Sequence, residues 1–278
     1  MKKKVLIAVL TALTAISVVA CGKQETEKES EETITPATGE ITAVTVDDLD
    51  QEKMQIIDVR EEAQYIGWTT EEGSGGHIEN AVDFPESWLD MDLEKEAAIG
   101  TTMQLELERR GLDVTKETVL YDNDTVSQET AEKYQAIGFE NLSVLDGGYN
   151  AYVESGKATE SLEHYEMYVY PQWVQDLADG KNPETFDGGD FQIIEVSLAS
   201  EEDEYANGHI PGAINVNADE INHVPGPRAL ADYEVIPMEE QLKYWNRPSD
   251  EEIQKKLEDL GIQKDTTVVL YGTTAATT

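Results

Sequence analysis

The feature that most constrains this chain is a pattern written twice. "IIDVREEAQYIGW", from Ile56, is answered by "IIEVSLASEEDEYANGHI", from Ile193. "GGHIENAVDFP", from Gly75, is answered by "NGHIPGAINVN", from Asn207. "RRGLDVTKETVLYDN", from Arg109, is answered by "EDLGIQKDTTVVLYGT", from Glu258. Three matches in one order identify an internal repeat, with an insertion in the second copy before its last match. Tyr121-Asp122 therefore aligns with Tyr271-Gly272.

Within the first copy the hydrophobic period alternates. Short apolar runs at Gln55–Val59, Val82–Phe84, Val119–Tyr121 and Leu142–Leu145 predict strands. Helical patterns cover Leu93–Arg110, ending at Gly111, and Ser127–Ala136, with Ser127 as N-cap and Gly138 just beyond. A last helix starts at Tyr149. Strands alternating with helices predict an α/β fold, a mainly parallel sheet flanked by helices. The second copy opens near Tyr168 with an expected edge strand and short helix. A turn-rich link leads to a strand at Phe191–Val196, and the copy reaches Val268–Tyr271. It has no counterpart of the helix, strand and closing helix that follow Tyr121, so an incomplete second domain with an open apolar edge is expected.

The N-terminal segment reads as a targeting sequence. Met1-Lys2-Lys3-Lys4 is a basic n-region, and Val5–Ala20 is an apolar stretch too short for a comfortable span. Val18-Val19-Ala20-Cys21 resembles a bacterial lipobox, so Cys21 is the expected lipidation site. An ordinary secretory signal or a short anchor helix is the plainer alternative. Gly22–Glu40 is polar and charged, and burial cannot offset the entropy of ordering it. The expected organisation is a signal peptide over 1–21, a flexible tether over 22–40, and domains over 41–157 and 158–278.

Charge excludes some partners. With 58 Asp+Glu against 20 Lys+Arg, the chain carries −38 and repels nucleic acid and anionic headgroups. Its one cysteine, Cys21, excludes an internal disulfide and, if lipidated, leaves the folded part without a thiol.

"IIDVREEAQY…GGHIENAVDFP", "VLYD" and "GFENLSVLDGGYNAYVESG" together resemble a rhodanese domain, and the tandem arrangement is similar to the thiosulfate and 3-mercaptopyruvate sulfurtransferases. The resemblance implies tandem rhodanese-like domains. It also implies a nucleophilic cysteine after the strand that ends at Tyr121. That cysteine would carry sulfane sulfur as a persulfide, in a loop whose amides and helix N-terminus favour the thiolate. An Arg or Lys five positions on would pin the anionic donor. This chain has Asp122, Asn123, Asp124, Thr125, Val126 and Ser127 in the first loop, and Gly272, Thr273, Thr274, Ala275, Ala276 and Thr277 in the second. The nucleophile position holds Asp122 or Gly272, and the cationic one Ser127 or Thr277. No catalytic residue is assigned, and no cofactor is expected.

Each remaining candidate has two readings. Asp122, Asn123 and Asp124 could hold a cation, but the spacing lacks the glycine of a calcium loop, and helix capping with loop amides on Asp122 reads better. Asp58 and Arg60 read as an ion-pair clamp rather than an acid and base, since the second copy has Glu195 and Ser197. His77 and His209 read as turn residues, because the histidines show no metal-ligand spacing. Arg228 and Arg247, in the insertion, are the candidate anion-binding residues, with a surface role equally open. The expectation is a surface lipoprotein held on the extracytoplasmic face of a bacterial membrane by its lipid, with an unknown protein or small-molecule partner. It would be a non-catalytic binding or scaffold module, or the non-catalytic part of a larger sulfurtransferase. The alternative is a thiosulfate or 3-mercaptopyruvate sulfurtransferase whose cysteine lies beyond Thr278.

Overall fold

The computed structural model describes residues 37, 39–93, 101–197, 202–217 and 248–272. The lipobox with Cys21, nearly all of the tether, Arg228, Arg247 and Thr273–Thr277 lie outside these residues. No described helix is long and apolar enough to cross a membrane.

The first repeat folds around a five-stranded parallel sheet. Its strands are β1 (Thr42–Val44), β2 (Gln55–Asp58), β4 (Val82–Asp83), β5 (Glu117–Tyr121) and β6 (Asn141–Leu145), in the order β1-β6-β5-β2-β4. Burial on both faces explains why the central strands are near-continuous apolar runs. The two-residue period sorts them. Ile57, Leu120 and Val144 face one core with Ala131 and Tyr134, while Ile56, Val119 and Leu145 face the other with Tyr149 and Tyr152. The covering helices are α1 (Glu62–Ile66), α2 (Met103–Arg109), α3 (Gln128–Ala136) and α4 (Gly148–Glu154). A short antiparallel pair, β3 (His77–Ile78) with β7 (Thr159–Glu160), ties the end of this domain to its middle.

Two sequence expectations need correcting. The helix read continuously over Leu93–Arg110 is not continuous, because Thr101 and Thr102 are non-helical. Thr102 caps α2 by accepting from the Leu105 amide, which starts the helix at Met103. The apolar periodicity crossed a cap that propensity alone does not mark. The edge strand expected near Tyr168 is absent. A 3-10 turn at Tyr165–Met167 comes first, and the chain then runs without strand pairing into α5 (Pro171–Ala178), which has proline in its first turn.

The reason lies in Trp68. This residue of the first repeat is 1% exposed and packs into the second core with Trp173, Leu177, Ile193 and Val269. Its indole Nε1 donates to the Tyr168 carbonyl at 2.9 Å, and Tyr165 and Tyr170 pack edge-on at 5.2 and 5.6 Å. The segment that looked like an edge strand wraps this ring instead.

The second repeat supplies β8 (Phe191–Ser197), α6 (Glu202–Asn207), β9 (Ile214–Asn217), α7 (Asp250–Asp259) and β10 (Thr267–Gly272). The strands form a parallel sheet in the order β10-β8-β9. Ser249 and Glu252 close a capping box at the start of α7. Register places Tyr271 opposite Glu195, as it places Tyr121 opposite Asp58. Val268 and Leu270 on β10 are exposed.

Because Trp68 fills the second core, Trp68→Ala should destabilise the second sheet more than the first, by about 3–5 kcal/mol. Amide hydrogen exchange should show protection falling first in β8 and β10. Equal loss across both sheets would contradict this packing.

Candidate functional site

The site begins where β2 ends. Arg60, fully buried, turns back on Asp58. Its Nε donates to Asp58 Oδ1 at 2.9 Å and its Nη2 to Oδ2 at 2.7 Å. The remaining fork donates to the carbonyls of Ser74 at 3.0 Å and Gly76 at 2.6 Å, with the guanidinium 3.9 Å from the centre of the Tyr149 ring. Burial opposes its charge, but the Asp58 contacts outweigh it and hold the Arg60 pKa above its ordinary value. Tyr121 donates to Asp58 Oδ2 at 2.7 Å and accepts from the Ile78 amide at 3.3 Å. Burial, then the Asp58 charge, pushes its hydroxyl well above the ordinary value. The clamp reading of Asp58 and Arg60 is correct.

The second copy repeats half of this arrangement. Tyr271 donates to Glu195 Oε2 at 2.7 Å and accepts from the Ile210 amide at 3.1 Å, and burial raises its pKa to about 12. Where the first copy has Arg60 and Asp83, the second has Ser197 and Asn215, joined at 3.0 Å. The histidine bonds also match. His77 bonds the Tyr65 carbonyl at 2.7 Å and stacks on that ring, and His209 does the same with Tyr205 at 2.8 Å. Neither sits in the turn expected: His77 opens β3, paired with Glu160, and His209 lies in the loop between α6 and β9. Among the described residues no group of three His, Cys, Asp or Glu is placed to hold a metal.

The loop after β5 docks by its backbone against α4. The carbonyls of Asp122 and Asn123 accept from the Tyr149 and Asn150 amides at 2.8 and 2.9 Å, which docks the loop on the start of α4. The approach is close enough that a Cβ on Gly148 would lie 2.1 Å from the Asp124 carbonyl oxygen. Asp122 Oδ1 accepts from the Asn123 amide at 2.6 Å, and Asn150 Nδ2 donates to Asp124 at 3.2 Å. Thr125 Oγ1 takes the Gly147 amide, Val126 is buried in the core, and Ser127 caps α3 by accepting from the Thr130 amide at 3.0 Å. The capping reading of this loop is therefore correct.

Beside Asp122 lies a cleft of about 270 Å³ lined by Arg60, Gln64, Glu61, Glu72, Glu86 and Asp90 among others. Arg60 is the one cation of that lining, and its side chain has no solvent exposure. The other charges of the cleft are carboxylates, of which Glu86 and Asp90 are paired with Lys133 at 2.9 and 2.8 Å. Gly272, the equivalent position in the second copy, closes β10 and offers no side chain.

Asp83 and Gln64 are the residues that the sequence reading missed. Gln64 is 1% exposed and donates to Asn123 Oδ1 at 3.0 Å, fixing the loop from α1. Asp83 pairs with Arg110 at 3.2 Å, and Arg110 lies 4.3 Å from the centre of the Trp88 ring. Among the described residues, Asp83 Oδ1 has no hydrogen-bond partner. The signal available was its register match to Asn215 in "NAVDFP" against "GAINVN".

The rhodanese-like domain pattern matches this chain twice, at residues 43–155 and 171–277. The chain belongs to the rhodanese family. Rhodanese relatives include thiosulfate sulfurtransferase YnjE of Escherichia coli K12, which is 31% identical over 232 residues, or 82% of this chain and 46% of that protein. EanB, solved in a persulfide form with ergothioneine, is 29% identical with a TM-score of 0.63, over 83% of this chain and 50% of that one. The anaerobic ergothioneine biosynthesis enzyme of Chlorobium limicola, solved with trimethyl histidine, is 28% identical with a TM-score of 0.64, over 84% and 50%. This rhodanese chain spans about half the length of those relatives.

Two predictions follow from the geometry. Burial raises the Asp83 carboxyl from 3.8 to about 7, against the pull of Arg110. A raised native pKa contributes stability below the unfolded value, and this is lost as pH climbs through the native one. Wild-type stability should therefore fall between about pH 5 and pH 8 by more than that of Asp83→Asn, measured by urea unfolding. Parallel pH profiles would contradict a buried, proton-holding Asp83. Second, in a Cys21→Ser background, the thiol of Asp122→Cys should react about tenfold more slowly with a dianionic disulfide reagent than with a neutral one, because the surrounding carboxylates repel the anion. Equal rates would mean that the cleft does not select against anions.

Proposed function

We propose that this chain is the non-catalytic part of a larger sulfurtransferase, held at a bacterial membrane on its extracytoplasmic side by lipid on Cys21. The observation that carries the reading is Asp122. It stands where a persulfide-forming cysteine is needed, its carboxylate is bonded by the next amide, and a carboxylate cannot hold sulfane sulfur. Ser127, a helix cap, stands where a cation would hold the donor. The buried clamp and docked loop preserve the domain as a structural partner.

The reaction of the whole protein would be sulfane-sulfur transfer from an anionic donor such as thiosulfate or 3-mercaptopyruvate, through a cysteine outside these 278 residues. The name of the Escherichia coli relative and the persulfide form of EanB support that class. The lipobox resemblance of Val18–Cys21 and the tether composition support the anchor.

The purified 278-residue chain, incubated with thiosulfate and cyanide, should form no thiocyanate beyond its Cys21→Ser variant. Turnover well above that variant would give Cys21 a catalytic role, and equal, robust turnover by both would show a thiol-free route. Either overturns the proposal. The intact mass of the native protein, with its coding sequence read past Thr278, should reveal a further segment carrying a cysteine loop.

A further inference from the structure

Across the junction of the two repeats runs a groove of about 690 Å³. On its floor are Ala63 and Ile66 of α1 with Val169 and Tyr170, all partly buried against the Trp68 core. Tyr168 stands 61% exposed at its side. Glu61, Glu62, Glu71 and Glu72 line it from the first repeat and Asp176 from the second. Asp176 is paired with Lys181 at 2.7 Å, and Lys181 also acts on Glu71 electrostatically. Among the described residues, the four glutamates form no ion pair, and the lining contains no Lys or Arg.

We propose that this groove docks a basic, extended segment of a partner protein, with an apolar side chain on the floor between Lys or Arg residues on the rim. Charge complementarity selects the partner. A net charge of −38 draws in cations and turns away anionic surfaces. The spacing selects a peptide over a single ion. No three carboxylates converge as metal ligands among the described residues, so the charges are spread along the walls and match cations spaced along a chain. The floor selects alternation. Lysine and arginine lay their methylene stems on apolar surface while their heads reach carboxylates, and the tyrosine faces add cation–π contacts. An uncharged apolar peptide would leave the rim unmatched, and an all-polar basic one would leave the floor wet. The inference rests on this surface and holds whether or not the chain serves sulfur transfer.

The test uses the whole chain and a fluorescent Lys-Leu-Lys-Leu-Lys peptide, read by anisotropy. Saturable binding that weakens with salt is expected. Glu62→Gln with Glu71→Gln should weaken it about tenfold, from the loss of two partly desolvated charge contacts. Glu52→Gln with Glu154→Gln, exposed elsewhere, should leave the affinity within about twofold. The variants replace exposed acids, and unchanged thermal midpoints would verify that they fold. Lys-Gly-Lys-Gly-Lys should bind more weakly, and Glu-Leu-Glu-Leu-Glu not at all. Equal weakening by both acid pairs would reduce the effect to net charge. No change with Glu62 and Glu71 neutralised, or equal binding of the glycine peptide, would also overturn the proposal.

Discussion

The buried pair of Asp58 and Arg60 organises the first domain. A guanidinium with no solvent exposure must satisfy its donors internally, and this one does so on Asp58, Ser74 and Gly76. It thereby joins the end of β2 to the Gly75-Gly76 turn and, by stacking, to Tyr149 of α4. Removing one partner of such a pair strands a buried charge at a cost of about 3–5 kcal/mol. A lysine could not replace it, since a point charge has no fork to divide between a carboxylate and two carbonyls. The loop carrying Asp122 leans on this assembly through Asn123, bonded by Gln64 at 3.0 Å and approached by Arg60 at 3.5 Å.

The second domain meets the same need more cheaply. It keeps the tyrosine-to-carboxylate bond, Tyr271 to Glu195, and replaces the ionic clamp with Ser197 and Asn215. Ser197 in place of Arg60 leaves no buried cation there, and Asn215 in place of Asp83 bonds that serine. The two copies thus share a strand register and the bonds of the tyrosine hydroxyl and of the histidine ring, and differ in how much charge they bury. This separates fold from chemistry. The loop at Asp122 is held by its carbonyls, which accept from the Tyr149 and Asn150 amides, and the Asp122 side chain takes the amide of Asn123. Those backbone bonds to α4 do not depend on which side chain the loop presents.

Much of this was legible in the residues. The repeat, the parallel sheet, the cap at Ser127 and the clamp at Asp58 and Arg60 each follow from local patterns with local causes: periodicity, a hydroxyl before a helix, a short i,i+2 reach. The failures were non-local. The run from Leu93 to Arg110 reads as one helix, because apolar spacing does not register the cap at Thr102. Tyr168–Tyr170 reads as a strand because aromatic residues favour strands. The ring they enclose, Trp68, lies some hundred positions earlier in the chain. Asp83 drew no reading from the sequence, because its burial comes from packing by distant segments.

The sequence by itself determined the family, the repeat and the absence of a nucleophile at both loop positions, since these depend on residue identity and order. Tertiary structure decided which charges are buried, which half of the chain fills which core, and where an apolar floor meets a ring of carboxylates. Those properties arise from desolvation and from contacts between distant segments. No local pattern encodes the water that a side chain loses when another part of the chain covers it.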